Sequence, residues 1–450
     1  MSKIKYLFIL LFLSIIIKSF GQISLEGKID GYDNSQIFLA SYYGDFKAII
    51  DSTKTDQKGN FNILLPNKTP IGLYKIAFGQ GKHLDIFIGK ENIKFSTKYF
   101  DPSLRIHFID SPLNTALYRY INALRDANFK TQFLKPILEY YPQNNRFYNE
   151  TKMEYYGIYN NLNMEIDRIL EEYPKTWIST YIRSDRPTAI NRKQDYSEQK
   201  KQLKLHFLDS IQFNQPSLLN SSLFSNKIIS YLAIFQSNEN DPHKIKMDFI
   251  PAIKDLLERA SSNPQVYAFV YSYLIKGFED NNLDLLVQYI AENFNSPTNL
   301  NPEVYKKTEI LKNLSMGNTA PSIITKDITG NPFDLNKIKA KYTLLIFWEP
   351  NCSSCERYLP EIRKEIFDLY SKKEIQIIGL AISDSKEEVE ENIKRFNYPW
   401  KNIVLAKAWE SKIVEEYAVS GTPKFFLLDR KKRIISQPQS MKEILIYLNE

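Results

Sequence analysis

Cysteine is nearly absent from this sequence, which has only Cys352 and Cys355 in 450 residues. A protein that used disulfides to stabilise its fold would carry several pairs that close long loops. The single bridge available here closes a loop of two residues, so it constrains the unfolded chain very little. The sequence therefore predicts that the two cysteines serve a chemical reaction.

Histidine is also scarce, and this argues against most metal sites. The four histidines, His83, His107, His206 and His243, are isolated from one another along the chain. Zinc binding by the two cysteines would need two further ligands, and there is neither a third cysteine nor a histidine after His243. We predict no metal site.

Positive charge is too thinly spread to indicate a nucleic-acid partner. The formal charge is +7, and it falls to +4 without Lys3, Lys5 and Lys18. Short basic runs such as 430–433 fit a solvated turn better than a phosphate-binding surface. Glycine is sparse, with 15 residues against 29 Tyr and 28 Phe. We expect packed helices and strands and no nucleic-acid binding.

No apolar run is long enough to span a membrane as a helix. The longest, residues 6–17, has about 12 residues, whereas a span needs roughly 20. Lys3 and Lys5 precede it, and small residues occupy positions 19 and 21. This pattern predicts a secretory signal peptide, residues 1–21, with an uncleaved anchor as the alternative. We expect export to the periplasm or cell envelope, without lipid attachment because no cysteine lies near the cut.

Three sequence patterns follow one another along the chain and predict a multidomain protein. Residues 22–100 have short alternating apolar runs separated by turns, which predicts an all-β sandwich. Residues 112–314 have apolar residues at three- and four-residue spacing, which predicts an all-α middle region. Helix boundaries are expected near the prolines at 136, 142, 174, 216, 242, 251 and 264. Residues 316–450 alternate buried strands with helices, which predicts an α/β domain with a mostly parallel sheet.

The two cysteines fall where a buried strand passes into a helix. Residues 342–348 are a nearly continuous apolar run, and helical spacing begins near Cys355. The first sulfur then lies beside free backbone N–H groups and the positive end of the helix dipole. These lower the pKa of the thiol from about 8.5. We therefore predict that Cys352 attacks, that Cys355 resolves the mixed disulfide, and that the N–H groups of Ser354 and Cys355 donate to the attacking sulfur.

Three motifs in the same order resemble one family. They are Gly-Asn-Thr-Ala-Pro-Ser at 317–322, Phe-Trp-x-x-x-Cys-x-x-Cys at 347–355 and Gly-Thr-Pro at 421–423. They are similar to the thioredoxin-like thiol–disulfide interchange proteins of the bacterial envelope, the TlpA/ResA type, which is AhpC/TSA-related. The resemblance covers less than a third of the chain, and the β segment before it resembles the small β domain that often precedes such domains.

The resemblance implies a thioredoxin-like fold and a redox-active disulfide, with no other cofactor. It implies that Pro423 follows a cis peptide bond and faces the cysteines, and that the Thr422 backbone pairs with a substrate strand. Trp348, Ser353 and Ser354 are the remaining supporting residues of the motif. The implied partners are protein thiols or disulfides and a membrane or envelope electron donor.

Several positions depart from the family pattern and leave the direction of electron transfer open. Asn351 stands where the family often has Trp, and the pair between the cysteines, which tunes the potential, contains neither Pro nor His. Ile346 occupies the position of a buried Asp in cytosolic thioredoxins. Glu349, near the site, could oppose thiolate formation by charge repulsion. Asp384 aligns with a carboxylate near the cysteines of some relatives, so it is either a proton-transfer residue or a solvated loop residue.

Two other functions share some of these features. A thiol peroxidase needs Thr or Ser three residues before its reactive cysteine, but Glu349 precedes Cys352 at that spacing and Cys352 itself precedes Cys355. A non-catalytic envelope protein that uses a thioredoxin-like docking module stays open. The large N-terminal part shows no catalytic constellation, and we hypothesise that it recognises partner proteins.

Overall fold

The structure is a computed structural model that describes residues 22–236, 241–298 and 300–449. The predicted signal peptide therefore lies outside the described residues. Two compact units divide the chain, the first ending at Ile229 and the second beginning at Ser230. The first unit holds the β sheets and the first helices, and the second holds the later helices and the α/β domain. The domain limits predicted from the sequence stay predictions.

Eight strands of the described N-terminal residues form two four-stranded sheets. They are β1 (Gln22–Asp30), β2 (Gln36–Tyr43), β3 (Phe46–Lys54), β4 (Asn60–Pro66), β5 (Gly72–Phe78), β6 (Lys82–Ile88), β7 (Ile93–Lys98) and β8 (His107–Phe108). The sheet orders are β4-β1-β7-β8 and β3-β2-β5-β6. Alternation along β1 buries Ile23, Leu25 and Ile29 in a core to which both sheets contribute. The predicted all-β sandwich is confirmed.

Nine α-helices occupy the described residues between these sheets and the α/β domain. They are α1 (Pro112–Tyr140), α2 (Arg146–Glu172), α3 (Trp177–Asp185), α4 (Tyr196–His206), α5 (Leu223–Phe235), α6 (Pro242–Ala260), α7 (Pro264–Asp280), α8 (Asp284–Asn293) and α9 (Pro302–Asn313). Three helices begin with a polar cap followed by proline, the caps being Asp241, Asn263 and Asn301. Each cap side chain accepts a backbone N–H that the first turn leaves free. The predicted all-α middle region is confirmed.

Two prolines that were expected at helix boundaries lie inside helices. Pro136 lies within α1 and Pro251 within α6. Proline removes one backbone hydrogen bond and crowds the preceding turn, so it normally ends a helix. In α6 the residues after Pro251 include Ile253 and Leu256, both fully buried. The free energy gained by burying these side chains outweighs the local free-energy cost of the proline. A sequence pattern does not show this burial.

The C-terminal α/β domain is built on a five-stranded sheet. Its strands and helices are β9 (Ile324–Lys326), β10 (Pro332–Asp334), β11 (Tyr342–Trp348), α10 (Ser353–Ile362), β12 (Ile375–Ile382), α11 (Lys386–Phe396), β13 (Lys401–Leu405), α12 (Lys412–Glu416), β14 (Lys424–Leu428), β15 (Ile434–Ser436) and α13 (Met441–Leu448). The sheet order is β13-β12-β11-β14-β15, and β9 and β10 form a separate hairpin. The predicted α/β fold class is confirmed.

The sheet is mixed, so the prediction of a mostly parallel sheet is wrong. Strands β11, β12 and β13 are parallel, whereas β14 runs antiparallel to β11 and β15 to β14. The chain enters β14 at Lys424, which pairs with Phe347 near the end of β11, and so β14 must run back along its neighbour. This arrangement places residues 422 and 423 at the carboxyl end of β11, where the cysteines follow.

Strand β11 is buried on both faces, as its apolar run predicts. Leu345 and Phe347 belong to the core on one side of the sheet, and Leu344, Ile346 and Trp348 belong to the core on the other side. Helices that cover both faces of a sheet require such a continuous apolar strand. The cysteines therefore follow one of the most enclosed strands of the domain.

A buried tyrosine in this domain provides a test of the packing. Tyr417 is fully buried, its hydroxyl donates to the Pro321 carbonyl at 2.7 Å, and its ring contacts Phe347 and Phe426. Tyr417→Phe keeps the ring but deprives that carbonyl of its donor. We expect the free energy of unfolding, measured by urea denaturation, to fall by about 1–2 kcal/mol.

The matched control for this substitution is Tyr305→Phe, at a tyrosine that is 49% exposed. A surface substitution of this kind is expected to change the free energy of unfolding by less than about 0.5 kcal/mol. Equal effects of the two substitutions would contradict a structural role for the Tyr417 hydroxyl.

Candidate active site

Cys352 lies at the junction between β11 and α10, as the sequence predicts. It is the N-cap residue of α10, and its Sγ accepts a hydrogen bond from the backbone N–H of Cys355 at 3.1 Å. The residue before it, Asn351, has a φ of +61°, a left-handed conformation that Asn tolerates better than most residues. Of the two N–H groups predicted as donors, the described contacts include the one from Cys355. The sulfur therefore faces the electropositive end of a helix.

Cys352 and Cys355 form a disulfide, with their Cα atoms 5.2 Å apart. Cys355 is 1% exposed and contacts the core, whereas Cys352 is partly exposed. Between them, Ser353 is exposed and Ser354 is half-buried. A partner thiol approaching from solvent would reach Cys352 first, which supports the predicted division of roles.

The loop before β14 lies against the disulfide. The Thr422–Pro423 peptide bond is cis, as the resemblance implies. The carbonyl oxygen of Thr422 lies 3.6 Å from Cys352 Sγ, and its Oγ1 lies 3.5 Å from the same atom. The structure thus brings together two motifs that are 70 residues apart in the chain.

Glu349 lies in the same cluster and has a defined geometry. Its Oε2 accepts from the Thr422 hydroxyl at 2.8 Å, and its Oε1 accepts from the indole N–H of Trp409 at 2.8 Å. From the sequence, Glu349 was recognised only as a nearby charge, and Trp409 was missed. The indole belongs to a short helical turn, residues 408–410, that is 60 residues from Glu349, so no local pattern connects them.

The other predicted supporting residues lie at different depths. Trp348 is 1% exposed and its ring meets Tyr398 edge to face, with centroids 5.3 Å apart. Asp384 is exposed in the loop between β12 and α11. Among the described contacts it has no hydrogen bond or ion pair with the cysteines. Its role in proton transfer stays a prediction.

A helix of the middle region contacts the loop before β14 within the second unit. Both carboxylate oxygens of Asp284, the first residue of α8, accept from the Ser420 hydroxyl, at 3.0 and 2.9 Å. Asp284 also lies 3.6 Å from Lys424 Nζ, whose side chain is 12% exposed. Burial lowers the pKa of Lys424, and the Asp284 carboxylate opposes that shift. The sequence showed no sign of this contact, because the partners are 136 residues or more apart.

Neither a candidate membrane helix nor a candidate metal-binding cluster occurs among the described residues. None of their helices is long and apolar enough to cross a membrane. No group of three or more His, Cys, Asp or Glu side chains in the same part of the chain is placed to hold a metal ion. The candidate site therefore consists of the disulfide and the groups around Cys352.

Comparison with known proteins identifies the C-terminal domain. A family model described as thioredoxin-like matches residues 340–434. The thiol-disulfide oxidoreductase ResA of Geobacillus thermodenitrificans is 28% identical over 138 residues, which are 30% of this chain and 77% of that protein. ResA of Geobacillus kaustophilus is 28% identical over 134 residues, 29% of this chain and 75% of that protein. Each of these two matches covers less than a third of the chain.

A solved structure also matches part of the chain. The thioredoxin domain of a thiol-disulfide oxidoreductase from Bacteroides vulgatus is 26% identical, with a TM-score of 0.29, over 30% of this chain and 96% of that chain. The residues matched by the family model include both cysteines and Pro423. The protein is a multidomain thiol–disulfide oxidoreductase with a thioredoxin-like C-terminal domain, and this domain is similar to that of the ResA proteins.

Proposed function

We propose that the protein exchanges thiols and disulfides with exported proteins through the Cys352–Cys355 pair. The observation that carries this proposal is the position of Cys352 Sγ. It is partly exposed at the N-terminus of α10, accepts the Cys355 N–H at 3.1 Å, and has the second sulfur buried behind it. A thiolate at that position is favoured by the helix dipole and is accessible to a partner.

In the reductive direction, the Cys352 thiolate attacks one sulfur of a partner disulfide. The bond between Cys352 and the partner forms, the partner's own S–S bond breaks, and the released sulfur takes up a proton. Cys355 then loses its proton and attacks Cys352 Sγ, which closes the internal disulfide and releases the second partner thiol. Two electrons have passed to the partner, and a dithiol donor of the membrane or envelope returns them.

The groups around the disulfide have supporting roles in this proposal. The Thr422 backbone pairs with the substrate strand, and Pro423 shapes the surface that faces the cysteines. Trp348 packs in the core at the end of β11 and supports this end of the strand. Ser353 and Ser354 tune the reduction potential of the cysteine pair. The disulfide is the only redox cofactor proposed. Asp384 is proposed to take part in proton transfer at the cysteines. The Thr422 carbonyl oxygen lies 3.6 Å from Cys352 Sγ, and this distance supports the role of the Thr422 backbone in pairing with the substrate strand.

We further propose that the chain acts in the periplasm or cell envelope after removal of residues 1–21. The charged and apolar pattern of this segment supports export. The N-terminal sheets and helices are proposed to recognise the partner proteins. No catalytic constellation was found in their sequence, so a binding role suits them best.

A redox titration tests the proposed function. The protein is equilibrated in glutathione buffers of stepped potential, and alkylation of Cys352 and Cys355 is followed by mass spectrometry. We expect a reversible two-electron transition between about −200 and −300 mV, the range of thioredoxin-like reductases and isomerases. A value near about −120 mV would indicate an oxidant instead. A pair that never cycles would contradict the enzyme and favour a docking module.

A further inference from the structure

The balance of hydrogen-bond donors and acceptors at Cys352 Sγ depends on one hydroxyl. The Cys355 N–H donates to this sulfur at 3.1 Å, the Thr422 carbonyl oxygen lies 3.6 Å from it, and the Thr422 hydroxyl, which can donate or accept, lies 3.5 Å from it. Donors stabilise a thiolate, and acceptors at the same distance destabilise it. The direction in which the Thr422 hydroxyl points its proton therefore affects how easily Cys352 ionises.

The Thr422 hydroxyl has one proton and two neighbouring acceptors. Glu349 Oε2 lies 2.8 Å from Thr422 Oγ1, whereas Cys352 Sγ lies 3.5 Å from it. A hydrogen bond to a carboxylate is about twice as strong as one between neutral groups. The proton therefore goes to Glu349, and the hydroxyl turns its lone pairs towards the sulfur.

The Glu349 carboxylate is held in this position from its other side. The Trp409 indole N–H donates to Oε1 at 2.8 Å, so both carboxylate oxygens accept a hydrogen bond. Within the described residues, no Lys or Arg nitrogen lies within 4.0 Å of this carboxylate. Its negative charge is therefore oriented by neutral donors and is not neutralised by a cation.

Other charged groups on the elements around Cys352 are paired or exposed. On α10, Glu356 lies 4.0 Å from Arg395 of α11, and on β14, Lys424 lies 3.6 Å from Asp284 of α8. Other charged side chains of the surrounding elements are Arg357, which lies over the Tyr358 ring, and the exposed Glu361, Asp384, Lys407 and Glu410. Glu349 is the charged group linked to Cys352 through a single hydroxyl in the described contacts.

We propose that Glu349 is a positioning residue that withholds the Thr422 hydroxyl proton from Cys352 Sγ and thereby keeps the reduction potential of the Cys352–Cys355 pair low. The inference rests on the proposed thiol–disulfide function. Reduction adds two electrons and two protons to the disulfide and gives two thiols. A dithiol whose thiolate is stabilised holds its electrons more tightly and makes its disulfide a stronger oxidant. Removing that stabilisation favours donation of electrons to a partner.

Glu349→Gln tests the proposal directly. The Gln amide can donate to Thr422 Oγ1, which frees the hydroxyl proton for the sulfur. In the exchange of protein disulfide with two glutathione thiols to give protein dithiol and glutathione disulfide, we expect the equilibrium constant to rise about tenfold, which is about 30 mV in potential. The pH midpoint of Cys352 alkylation by iodoacetamide is expected to move lower by about one unit.

Three further variants separate this role from a general effect of charge or folding. Glu410→Gln removes an exposed negative charge beside Trp409 that has no described contact with Thr422, and it is expected to leave both quantities unchanged. Thr422→Val removes the hydroxyl, so adding Glu349→Gln to it is expected to change the equilibrium constant less than about threefold. Trp409→Phe, at an exposed position, is expected to shift both quantities in the same direction as Glu349→Gln but less.

The outcomes distinguish this inference from the proposed function. Wild-type protein whose cysteines never cycle would overturn the proposed function itself. Cysteines that cycle, with an unchanged potential and an unchanged alkylation midpoint in Glu349→Gln, would overturn the role of Glu349 alone. The role of Glu349 would also be overturned if Glu349→Gln shifted the potential as much in the Thr422→Val background as it does in the wild-type background. If Glu349→Gln does not fold, an unchanged potential in Trp409→Phe overturns the role instead.

Discussion

A Cys352→Ser variant is expected to lose all thiol–disulfide exchange above the uncatalysed background, whereas Cys355→Ser is expected to accumulate as a mixed disulfide. Cys352 is the partly exposed sulfur at the N-terminus of α10, and Cys355 is 1% exposed behind it. Without Cys352, the buried sulfur has no route to a partner. Without Cys355, the mixed disulfide forms but cannot be resolved. Incubation with oxidised glutathione followed by intact-protein mass spectrometry detects the adduct.

The matched control is Ser353→Ala, because Ser353 lies in the same turn and is exposed. It is expected to keep exchange activity and to form no persistent adduct, although its potential can shift. Reduction of insulin disulfides in the presence of dithiothreitol reports the exchange rate of each variant. A glutathione adduct on Cys352→Ser but not on Cys355→Ser would show that the roles of the two cysteines are reversed.

Asp284→Ala is expected to lower the free energy of unfolding by about 3 kcal/mol, because it leaves Lys424 without its partner. The Lys424 side chain is 12% exposed and lies 3.6 Å from the Asp284 carboxylate. Removing one member of a buried ion pair leaves an uncompensated charge, which costs about 3–5 kcal/mol. We take the lower end because Asp284 is 35% exposed. Urea denaturation measures the change.

The same substitution is expected to slow thiol–disulfide exchange. Asp284 accepts a bifurcated hydrogen bond from the Ser420 hydroxyl and attracts Lys424 through its charge. Ser420 and Lys424 flank the Thr422–Pro423 segment that faces Cys352. A loosened segment would present the Thr422 backbone to a substrate less often. The insulin assay in native buffer is expected to show a reduced rate while both cysteines still cycle.

Two variants test whether the stability loss in Asp284→Ala comes from the unpaired charge of Lys424. Adding Lys424→Met to Asp284→Ala removes the unpaired charge, so we expect it to recover much of the lost stability. Asp280→Ala removes an exposed carboxylate that lies 3.6 Å from Lys276 on the surface of α7, and it is expected to change stability by less than about 0.5 kcal/mol. A loss in Asp284→Ala no greater than in Asp280→Ala would contradict the role of the buried pair.

Elements with strong local patterns were predictable from the sequence. The apolar run 342–348 is strand β11, and the apolar residues at three- and four-residue spacing in 112–314 lie on helices. Gly330 and Asn331, residue types that are typical of turns, connect β9 and β10. In each case the signal is local, because an apolar run, a helical spacing or a turn residue involves residues that are only a few positions apart.

Elements that depend on their neighbours were not predicted. Strands β13 and β15 are short, with five and three residues, and became strands by pairing with β12 and β14. The antiparallel direction of β14 was missed for the same reason. A sequence pattern shows that a segment is apolar, but it does not show which neighbour pairs with it or in which direction.

The sequence by itself determined the multidomain fold class and the place of Cys352 and Cys355 where a strand passes into a helix. It could do so because both cysteines and the helix start lie within a few residues of each other. Only the tertiary structure placed Glu349, Trp409 and Thr422 in one cluster at the sulfur. Their partners come from 60 to 73 residues away, and hydrogen bonds over such separations depend on how the strands and loops pack.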